Sequence, residues 1–274
     1  MATARPDLKL AIAGLGAIGM VVGRAVDAGR VPGIRLVAVS VRDHEKAQKA
    51  IARFQSPPRL LDFAALAEAA DIVLECLPPE HFAAVAAPAV EHGRIFMPLS
   101  VGMLINHMEL VDRARATGAR IIVPTGALLG LDAVRAAAEG SIASVKIITR
   151  KPPAGLAGAP LLMERGISVE GLEQPLRVFE GTAREAIAGF PANVNVAVAL
   201  SLAGVGPDET QAEIWADPSV TRNAHTIVVK SDSSDLTMTI ENIPSEENPR
   251  TGKITALSVL SALRRLTAPL VVGS

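Results

Sequence analysis

The first 125 residues alternate short apolar segments with amphipathic ones. An apolar run such as residues 8–13 is typical of a strand buried on both faces of a parallel sheet, and a segment with helical spacing of apolar positions follows it. The predicted strands are Leu8–Ala13, Ile34–Val41, Asp71–Cys76, Arg94–Leu99 and Arg120–Pro124. Because helices alternate with these strands, the pattern predicts a doubly wound parallel α/β sheet.

Three glycines lie between the first predicted strand and the first predicted helix, in the order Gly14-x-Gly16-x-x-Gly19. In this context Gly14 allows a tight turn, Gly16 lets the backbone approach a pyrophosphate, and Gly19 lets the helix pack on the strand. The amides at the helix start, at Ala17 and Ile18, would face the phosphates. A tight turn without a ligand is the alternative. The fingerprint favours a Rossmann domain that binds NAD or NADP.

The end of the second predicted strand bears on the choice between these two cofactors. An acidic residue at this point binds the adenosine ribose hydroxyls in NAD-binding proteins. Here that position falls on Val41, flanked by Ser40 and Arg42, which can accept a 2′-phosphate. This favours NADP or the use of both cofactors. Asp43 is either an alternative acidic residue or the cap of the next helix.

Two further loops follow predicted strands of the same sheet. Leu77 begins a Leu-Pro-Pro segment that ends one strand, and Ser100 begins a short loop after the next. Ligands of open α/β sheets bind at the carboxyl ends of the strands. We therefore expect Cys76, Leu77 and Ser100 near the nicotinamide, with a buried structural role as the alternative for Cys76.

After Pro124 a glycine-rich loop leads into consecutive β-rich segments. These are Val145–Arg150, Leu176–Glu180, Thr210–Ala216, His225–Lys230 and Leu236–Ile243. Consecutive strands predict a second, α+β catalytic domain with a mainly antiparallel sheet. We expect an NAD(P)-binding domain over residues 1–125, a catalytic and dimerisation domain over 126–245, and a C-terminal segment, 246–274, whose helix returns to the first domain.

Composition excludes several classes of function. The 274 residues include 27 Lys and Arg against 28 Asp and Glu, so no basic excess is available for nucleic acid. The one cysteine excludes an internal disulfide framework and fits a cytoplasmic protein, and no signal peptide is predicted at the N-terminus. The longest apolar tract, Val194–Gly206, is too short to span a bilayer and predicts a buried helix. No residues have metal-ligand spacing, so no metal is expected.

Of the five histidines, His225 is the candidate for catalysis. It begins a predicted strand of the second domain, and the near-neutral pKa of an ordinary histidine suits a group that takes and returns a proton. A lone histidine is more often structural. The other four lie at predicted helix ends, where capping and exposure explain them: His44, His81, His92 and His107.

Several blocks of the chain, in this order, resemble the L-aspartate dehydrogenase family. They are Pro124–Ala127 with Gly130–Asp132, Thr149–Pro153, Phe190–Ala197, Ala216–Pro218, Asn223–His225, and Glu241–Ser245 with Asn248–Thr251. Together with the glycine fingerprint they cover nearly the whole chain. The later blocks distinguish this family from other two-domain dehydrogenases.

The resemblance implies NAD(P)-dependent oxidation of L-aspartate to iminoaspartate, which hydrolyses to oxaloacetate and ammonia or feeds NAD biosynthesis; the reverse amination is equally possible. His225 matches the family's active-site histidine, the expected general base for the amine and then for the water that attacks the imine. Asn195 matches a cofactor-binding asparagine and Ala127 a cofactor-contacting alanine, while Asn193 is predicted as a helix cap. The resemblance also implies a homodimer through the second-domain sheet.

Two loops depart from the family pattern. Leu128-Leu129 replaces Ile-Gly, and Cys76–Glu80 replaces a small residue followed by Ser-Pro-Glu. These departures favour an alternative, a related dehydrogenase acting on another small amino or oxo acid. A non-catalytic dinucleotide sensor is a second alternative, against which the presence of His225 argues.

An amino or oxo dicarboxylic acid substrate requires cationic or amide donors. Four residues of the second domain are candidates for that role, and the sequence does not choose among them: Arg150, Lys151, Arg222 and Asn223.

Overall fold

The computed structural model describes residues 6–191, 194–246 and 251–273. They form two compact units. Unit 1 contains the described chain up to Pro124 together with Thr255–Val271, and unit 2 contains Thr125–Ile254 with the last residues. The first division lies one residue from the predicted boundary, whereas unit 2 continues beyond the predicted end at 245. Asn193, expected to cap a helix, lies outside the described residues.

Unit 1 contains a six-stranded parallel sheet in the order β3-β2-β1-β4-β5-β6. The strands are β1 (Leu8–Ala13), β2 (Ile34–Ser40), β3 (Arg59–Leu60), β4 (Ile72–Glu75), β5 (Ile95–Pro98) and β6 (Arg120–Ile121). The helices are α1 (Ala17–Asp27), α2 (His44–Ile51), α3 (Phe63–Ala69), α4 (Phe82–Glu91), α5 (Val101–Leu104) and α6 (Glu109–Thr117). The strand order reverses between β1 and β4, the point at which such sheets bind ligands. The predicted Rossmann arrangement is confirmed.

Local details of unit 1 differ from the sequence prediction. Strand β3 was not predicted, because two residues at a sheet edge show no periodicity. The segment after Ser100, expected to be a loop, forms helix α5. Residues Pro79–His81 form a 3₁₀ turn, and helix α4 begins after it at Phe82.

Unit 2 contains a five-stranded sheet in the order β11-β10-β7-β9-β8. Its strands are β7 (Ile142–Lys151), β8 (Leu176–Thr182), β9 (Thr210–Ala216), β10 (Ala224–Ser231) and β11 (Asp235–Glu241), and its helices are α7 (Leu131–Ala138), α8 (Pro160–Glu164), α9 (Ala183–Gly189) and α10 (Asn195–Ala203). Three strand pairs are antiparallel, and β7 pairs with β9 in parallel, so the sheet is mixed. The predicted mainly antiparallel α+β class is confirmed.

Helix α10 is buried from Val196 to Ser201, as its apolar composition predicted. Within the described ranges, no helix combines the length and apolar character needed to cross a membrane.

The last helix, α11 (Lys253–Thr267), packs for most of its length in unit 1. Val259 and Leu263 are fully buried and join the core cluster that also contains Leu10 and Ile12. The Thr267 hydroxyl donates a hydrogen bond to the Pro32 carbonyl oxygen at 2.8 Å. Burial of one apolar stripe, rather than helix propensity, accounts for where this helix lies.

Candidate active site

Two of the three fingerprint glycines are required by the fold itself. Gly14 has φ +97°, and a Cβ atom there would lie 2.6 Å from the Cys76 carbonyl oxygen. A Cβ atom at Gly19 would overlap the Gly14 carbonyl oxygen. Larger residues at these positions would force the start of α1 away from the strands.

At Gly16, neither the backbone conformation nor the packing of the protein requires glycine. Its φ is −78°, which any residue can adopt, and a Cβ atom there would meet nothing within 4 Å. Gly16 precedes the first residue of α1, and no side chain caps that helix. The first amides of α1, at Ala17 and Ile18, therefore face open space at the positive end of the helix. This arrangement fits the pyrophosphate of a dinucleotide.

The two residues proposed to bind a 2′-phosphate lie in different environments. Ser40 is buried at the end of β2, and its carbonyl oxygen accepts a hydrogen bond from the Gly14 amide at 2.8 Å. Arg42 is exposed two residues later, next to the exposed Asp43. Of the predicted pair, Arg42 is the one whose side chain can reach a ligand from the surface.

A buried carboxylate that the sequence analysis missed joins the loops after β4 and β5. Glu75, fully buried at the end of β4, accepts hydrogen bonds from the backbone amides of Leu77 (2.7 Å), Leu99 (3.2 Å) and Ser100 (3.0 Å). The Ser100 hydroxyl lies 3.1 Å from Glu75 Oε1 and 2.9 Å from the Leu77 carbonyl oxygen. Glu75 therefore holds together the two loops that were expected to contact the nicotinamide. Its signal in the sequence was an acidic residue ending an otherwise apolar strand.

Burial governs the protonation of both Glu75 and its neighbour. Burial raises the pKa of the Glu75 carboxyl, and the hydrogen bonds from Ser100 and Leu77 oppose that shift. Burial, with the nearby Glu75 charge, raises the pKa of the Cys76 thiol well above its usual value. Cys76 therefore stays a thiol at neutral pH and packs against the core of unit 1, which favours its structural interpretation.

A second cluster forms in unit 2, where β10 pairs with β7. His225 lies directly opposite Thr149, and His225 Nδ1 is 3.0 Å from Thr149 Oγ1. Lys151 is two residues farther along β7, on the same face as Thr149. His225 is 3% exposed and Lys151 is 6% exposed. Of this cluster, the sequence analysis named only His225 and Lys151 as candidate site residues. The contact between Thr149 and His225 arises from the pairing of β7 with β10, which the sequence did not predict.

Burial of this cluster changes the acid-base properties of both titratable groups. Burial, and next the positive charge of Lys151, lowers the pKa of His225 to about 3. Burial lowers the pKa of Lys151 to about 8. The pKa of His225 therefore lies well below the near-neutral value of an ordinary histidine, and the imidazole is neutral at physiological pH.

A cavity of about 260 Å³ opens beside the cluster, within unit 2. Lys151 lies in its wall, and the other polar side chains that line it are Thr221, Arg222, Asn223 and Asn242. His225 is not a wall residue. Lys151 is therefore shared by the cavity and the cluster. It lines the cavity, and its positive charge contributes to the low pKa of His225.

The remaining predicted residues of unit 2 have separate surroundings. Arg150 donates to Asp217 at 2.8 Å and lies over the Trp215 ring. Ala127 is partly buried, and Asn195 is exposed at the first residue of α10. None of these residues is a wall residue of the cavity. Over residues 6–191, 194–246 and 251–273, no group of three or more His, Cys, Asp or Glu side chains could hold a metal ion.

Asn242, which sequence reasoning noted only as part of a motif, is 4% exposed in the cavity wall. Its Nδ2 donates a hydrogen bond to the Ala127 carbonyl oxygen at 3.0 Å. Its Oδ1 is buried, and no described residue donates to it. A buried acceptor without a donor is rare and favours a role in binding a ligand.

Two family profiles match the chain. One, described as the homoserine dehydrogenase NAD binding domain, matches residues 14–124. The other, described as the aspartate dehydrogenase C-terminal domain, matches residues 132–266. The two profiles correspond to the glycine fingerprint with its sheet and to the part of the chain that contains His225 and Lys151.

Full-length relatives agree with these profiles. L-Aspartate dehydrogenase of Bradyrhizobium diazoefficiens is 56% identical over 99% of this chain and 96% of its own length. L-Aspartate dehydrogenase 3 of Bordetella bronchiseptica is 52% identical over 99% of this chain and 100% of its own length. The crystal structure of aspartate dehydrogenase from Thermotoga maritima superposes with a TM-score of 0.76 at 24% identity, covering 97% of this chain and 100% of that one. It has the same fold.

Gly16→Ala separates ligand binding from folding. We expect its free energy of unfolding to stay within about 1 kcal/mol of wild type, because the added methyl meets no atom. The methyl would occupy the space assigned to the pyrophosphate, so the Kd for reduced dinucleotide should rise at least about tenfold. Gly19→Ala is the matched comparison and should lose about 1–3 kcal/mol of stability. Urea unfolding and fluorescence titration measure both quantities; an unchanged Kd for Gly16→Ala would refute the assignment.

Glu75→Gln tests the contact between the two loops. The substitution keeps the size of the side chain but replaces an acceptor oxygen with an NH₂ group. At least one buried amide loses its acceptor, so we expect a loss of about 1–3 kcal/mol in stability and weaker dinucleotide binding. The exposed Glu68→Gln on α3 is the control and should change stability by less than about 0.5 kcal/mol. Equal dinucleotide affinity in both variants would show that the loops do not depend on Glu75.

His225 makes folding sensitive to acid. Its pKa is about 3 in the folded chain against an ordinary value of 6.5, so between these pH values only the unfolded chain binds the proton. Stability therefore falls as the pH is lowered through this window, by about 2 kcal/mol at pH ~5 relative to pH ~7. His225→Gln should lack this loss in urea unfolding, whereas His92→Gln, at the exposed end of α4, should keep it. The same pH dependence in wild type and His225→Gln would contradict the assignment.

Proposed function

Because the chain belongs to the L-aspartate dehydrogenase family, we propose that it oxidises L-aspartate to iminoaspartate with a pyridine nucleotide. The imine hydrolyses to oxaloacetate and ammonia, and the reaction is reversible. The observation that carries the proposal is the buried His225, held by Thr149 and next to Lys151, in a chain with these relatives. When bound, the cofactor accepts the hydride from the substrate carbon.

His225 is the proposed acid-base group. Its imidazole is neutral at physiological pH, so it can accept a proton without first losing one. In the tautomer in which Nδ1 donates to Thr149 Oγ1, the lone pair is on Nε2. Nε2 is therefore the atom that takes the proton from the substrate amine. After it has released this proton to solvent, it can take one from the water that attacks the imine. A negatively charged substrate near Lys151 would offset the lysine charge and strengthen this base.

Unit 1 is the proposed cofactor-binding part of the chain. The open space at Gly16 and the uncapped start of α1 support pyrophosphate binding, and the NAD-binding profile supports a pyridine nucleotide. Exposed Arg42, two residues after the end of β2, supports acceptance of a 2′-phosphate, and hence the use of NADP or of both cofactors. Cofactor contacts by Ala127 and Asn195, the homodimer, the cytoplasmic location and the link to NAD biosynthesis remain predictions.

The departures from the family pattern bear on the substrate. Leu128 is buried in unit 2, so its change from the family residue alters internal packing. This weakens the case for a different amino or oxo acid that the sequence alone had raised. The Leu77 loop is held by Glu75 through its backbone, an interaction that does not depend on the side chain at position 77.

The test is turnover measured by absorbance of the reduced nicotinamide. L-Aspartate is supplied with NAD and with NADP in separate assays, and oxaloacetate with ammonia in the reverse direction. We expect turnover in both directions, and a loss of about 10²-fold or more in kcat for His225→Gln with cofactor Kd within about twofold. His92→Gln should keep the wild-type rate.

Cofactor binding without turnover of aspartate would overturn the proposed substrate. A panel of small amino and oxo acids then distinguishes a related dehydrogenase from a protein that only binds the dinucleotide. Full activity in His225→Gln would show that His225 is not the acid-base group, although the proposed reaction would still be supported.

A further inference from the structure

We propose that the cavity of unit 2 binds an α-amino dicarboxylate through two specific groups: Lys151 pairs with a substrate carboxylate, and Asn242 Oδ1 accepts a hydrogen bond from the substrate amino group. This inference rests on the proposed function and names the residues that recognise its substrate. It selects one of the four candidates that the sequence left open and adds one that it did not raise.

Two arginines near the cavity are less suitable than Lys151 as the anion site. Arg222 donates to Glu241 at 2.6 Å, and both side chains are about half exposed. Arg150 donates to Asp217, whose carboxylate is buried. Arg222 is therefore well screened by water and Arg150 does not line the cavity, so neither arginine is the favoured anion site.

Lys151 has the position that an anion site requires. Its amine is buried and faces the cavity, where charge is poorly screened by water. A carboxylate bound there would form a strong charge-assisted contact and offset the cost of burying the ammonium group. The lowered pKa of this lysine, about 8, reflects its burial, which an anion bound in the cavity would oppose.

Asn242 supplies an independent indication of a ligand. Its amide orientation is set by the bond from Nδ2 to the Ala127 carbonyl oxygen, which directs Oδ1 to the other side. No described residue donates to this buried oxygen. An ammonium or amine group is a hydrogen-bond donor. The amino group of an amino acid in the cavity would therefore donate to Asn242 Oδ1, and its carboxylate would pair with Lys151.

The size of the cavity agrees with a small metabolite. Its volume is about 260 Å³. Drug-sized ligands occupy sites of roughly 300–1,000 Å³, so this cavity suits a compact acid rather than a long or aromatic one.

The experiment measures binding in the complex with reduced cofactor, where L-aspartate cannot react because both partners are already reduced. Calorimetric Kd values are compared for L-aspartate and for succinate, which has both carboxylates but no amine. Lys151→Met should weaken both ligands by about ten- to a hundredfold, and Lys151→Arg should restore part of the affinity. Asn242→Leu should weaken L-aspartate about fivefold or more beyond its effect on succinate, because loss of the Ala127 contact affects both ligands alike.

Lys146→Met is the matched control. Lys146 lies on the same strand but pairs with Glu213 outside the cavity, so its removal should leave both Kd values within about twofold of wild type. We expect Lys151→Met to fold, because methionine is an unbranched side chain that fits the same buried space, and thermal unfolding and cofactor Kd verify this. Lys151→Gln is the second variant if that expectation fails.

The outcomes separate this inference from the proposed function. Turnover of aspartate by wild type together with unchanged ligand affinity in Lys151→Met and Lys151→Gln would overturn the lysine site. An equal effect of Asn242→Leu on the two ligands would overturn the amine contact. Lysine-dependent binding of L-aspartate without turnover would leave the binding site intact and refute the proposed reaction.

Discussion

The burial of a lysine amine at the end of β7 determines the chemistry of unit 2. Burial lowers the pKa of Lys151, and burial of His225, with the charge of Lys151 as a second cause, lowers the pKa of the histidine. A bound anion would oppose both shifts, because it would stabilise the ammonium group and reduce its repulsion of a protonated imidazole. The strength of His225 as a base is thereby coupled to the charge of the molecule in the cavity. In the absence of substrate, the histidine remains neutral.

Unit 1 contains a buried negative charge, and backbone amides of the same unit stabilise it. Glu75 receives amide hydrogen bonds from the loops after β4 and β5, and these bonds exist only if both loops hold their observed conformation. The strand order of the parallel sheet reverses between β1 and β4, and the glycines next to this point allow the start of α1 to come close. Strand order, glycine positions and one carboxylate therefore act together to shape the cofactor-binding end of the sheet.

The sequence predicted what is encoded locally. The alternation of apolar strands with amphipathic helices, the glycine fingerprint and the family motifs all lie within short segments, and the resemblance to L-aspartate dehydrogenases is confirmed by full-length relatives. Contacts between distant segments could not be predicted in this way. Thr149 meets His225, and Ala127 meets Asn242, through strand pairing and loop packing across long stretches of chain. The low pKa of His225 could not be predicted for the same reason, because it depends on burial of the side chain and on the charge of Lys151.

The contrast between Glu75 and Asn242 suggests how structural and ligand-binding polar groups differ in this protein. Both are buried, but the oxygens of Glu75 are matched by donors of the chain itself, so its role is complete without a ligand. Asn242 uses its amide nitrogen internally, while its oxygen has no donor among the described residues. An unmatched buried acceptor reduces stability, and its presence in a cavity wall beside a buried lysine is explained if a ligand completes it. The unmatched oxygen of Asn242 therefore supports the ligand-binding role that we propose for this cavity.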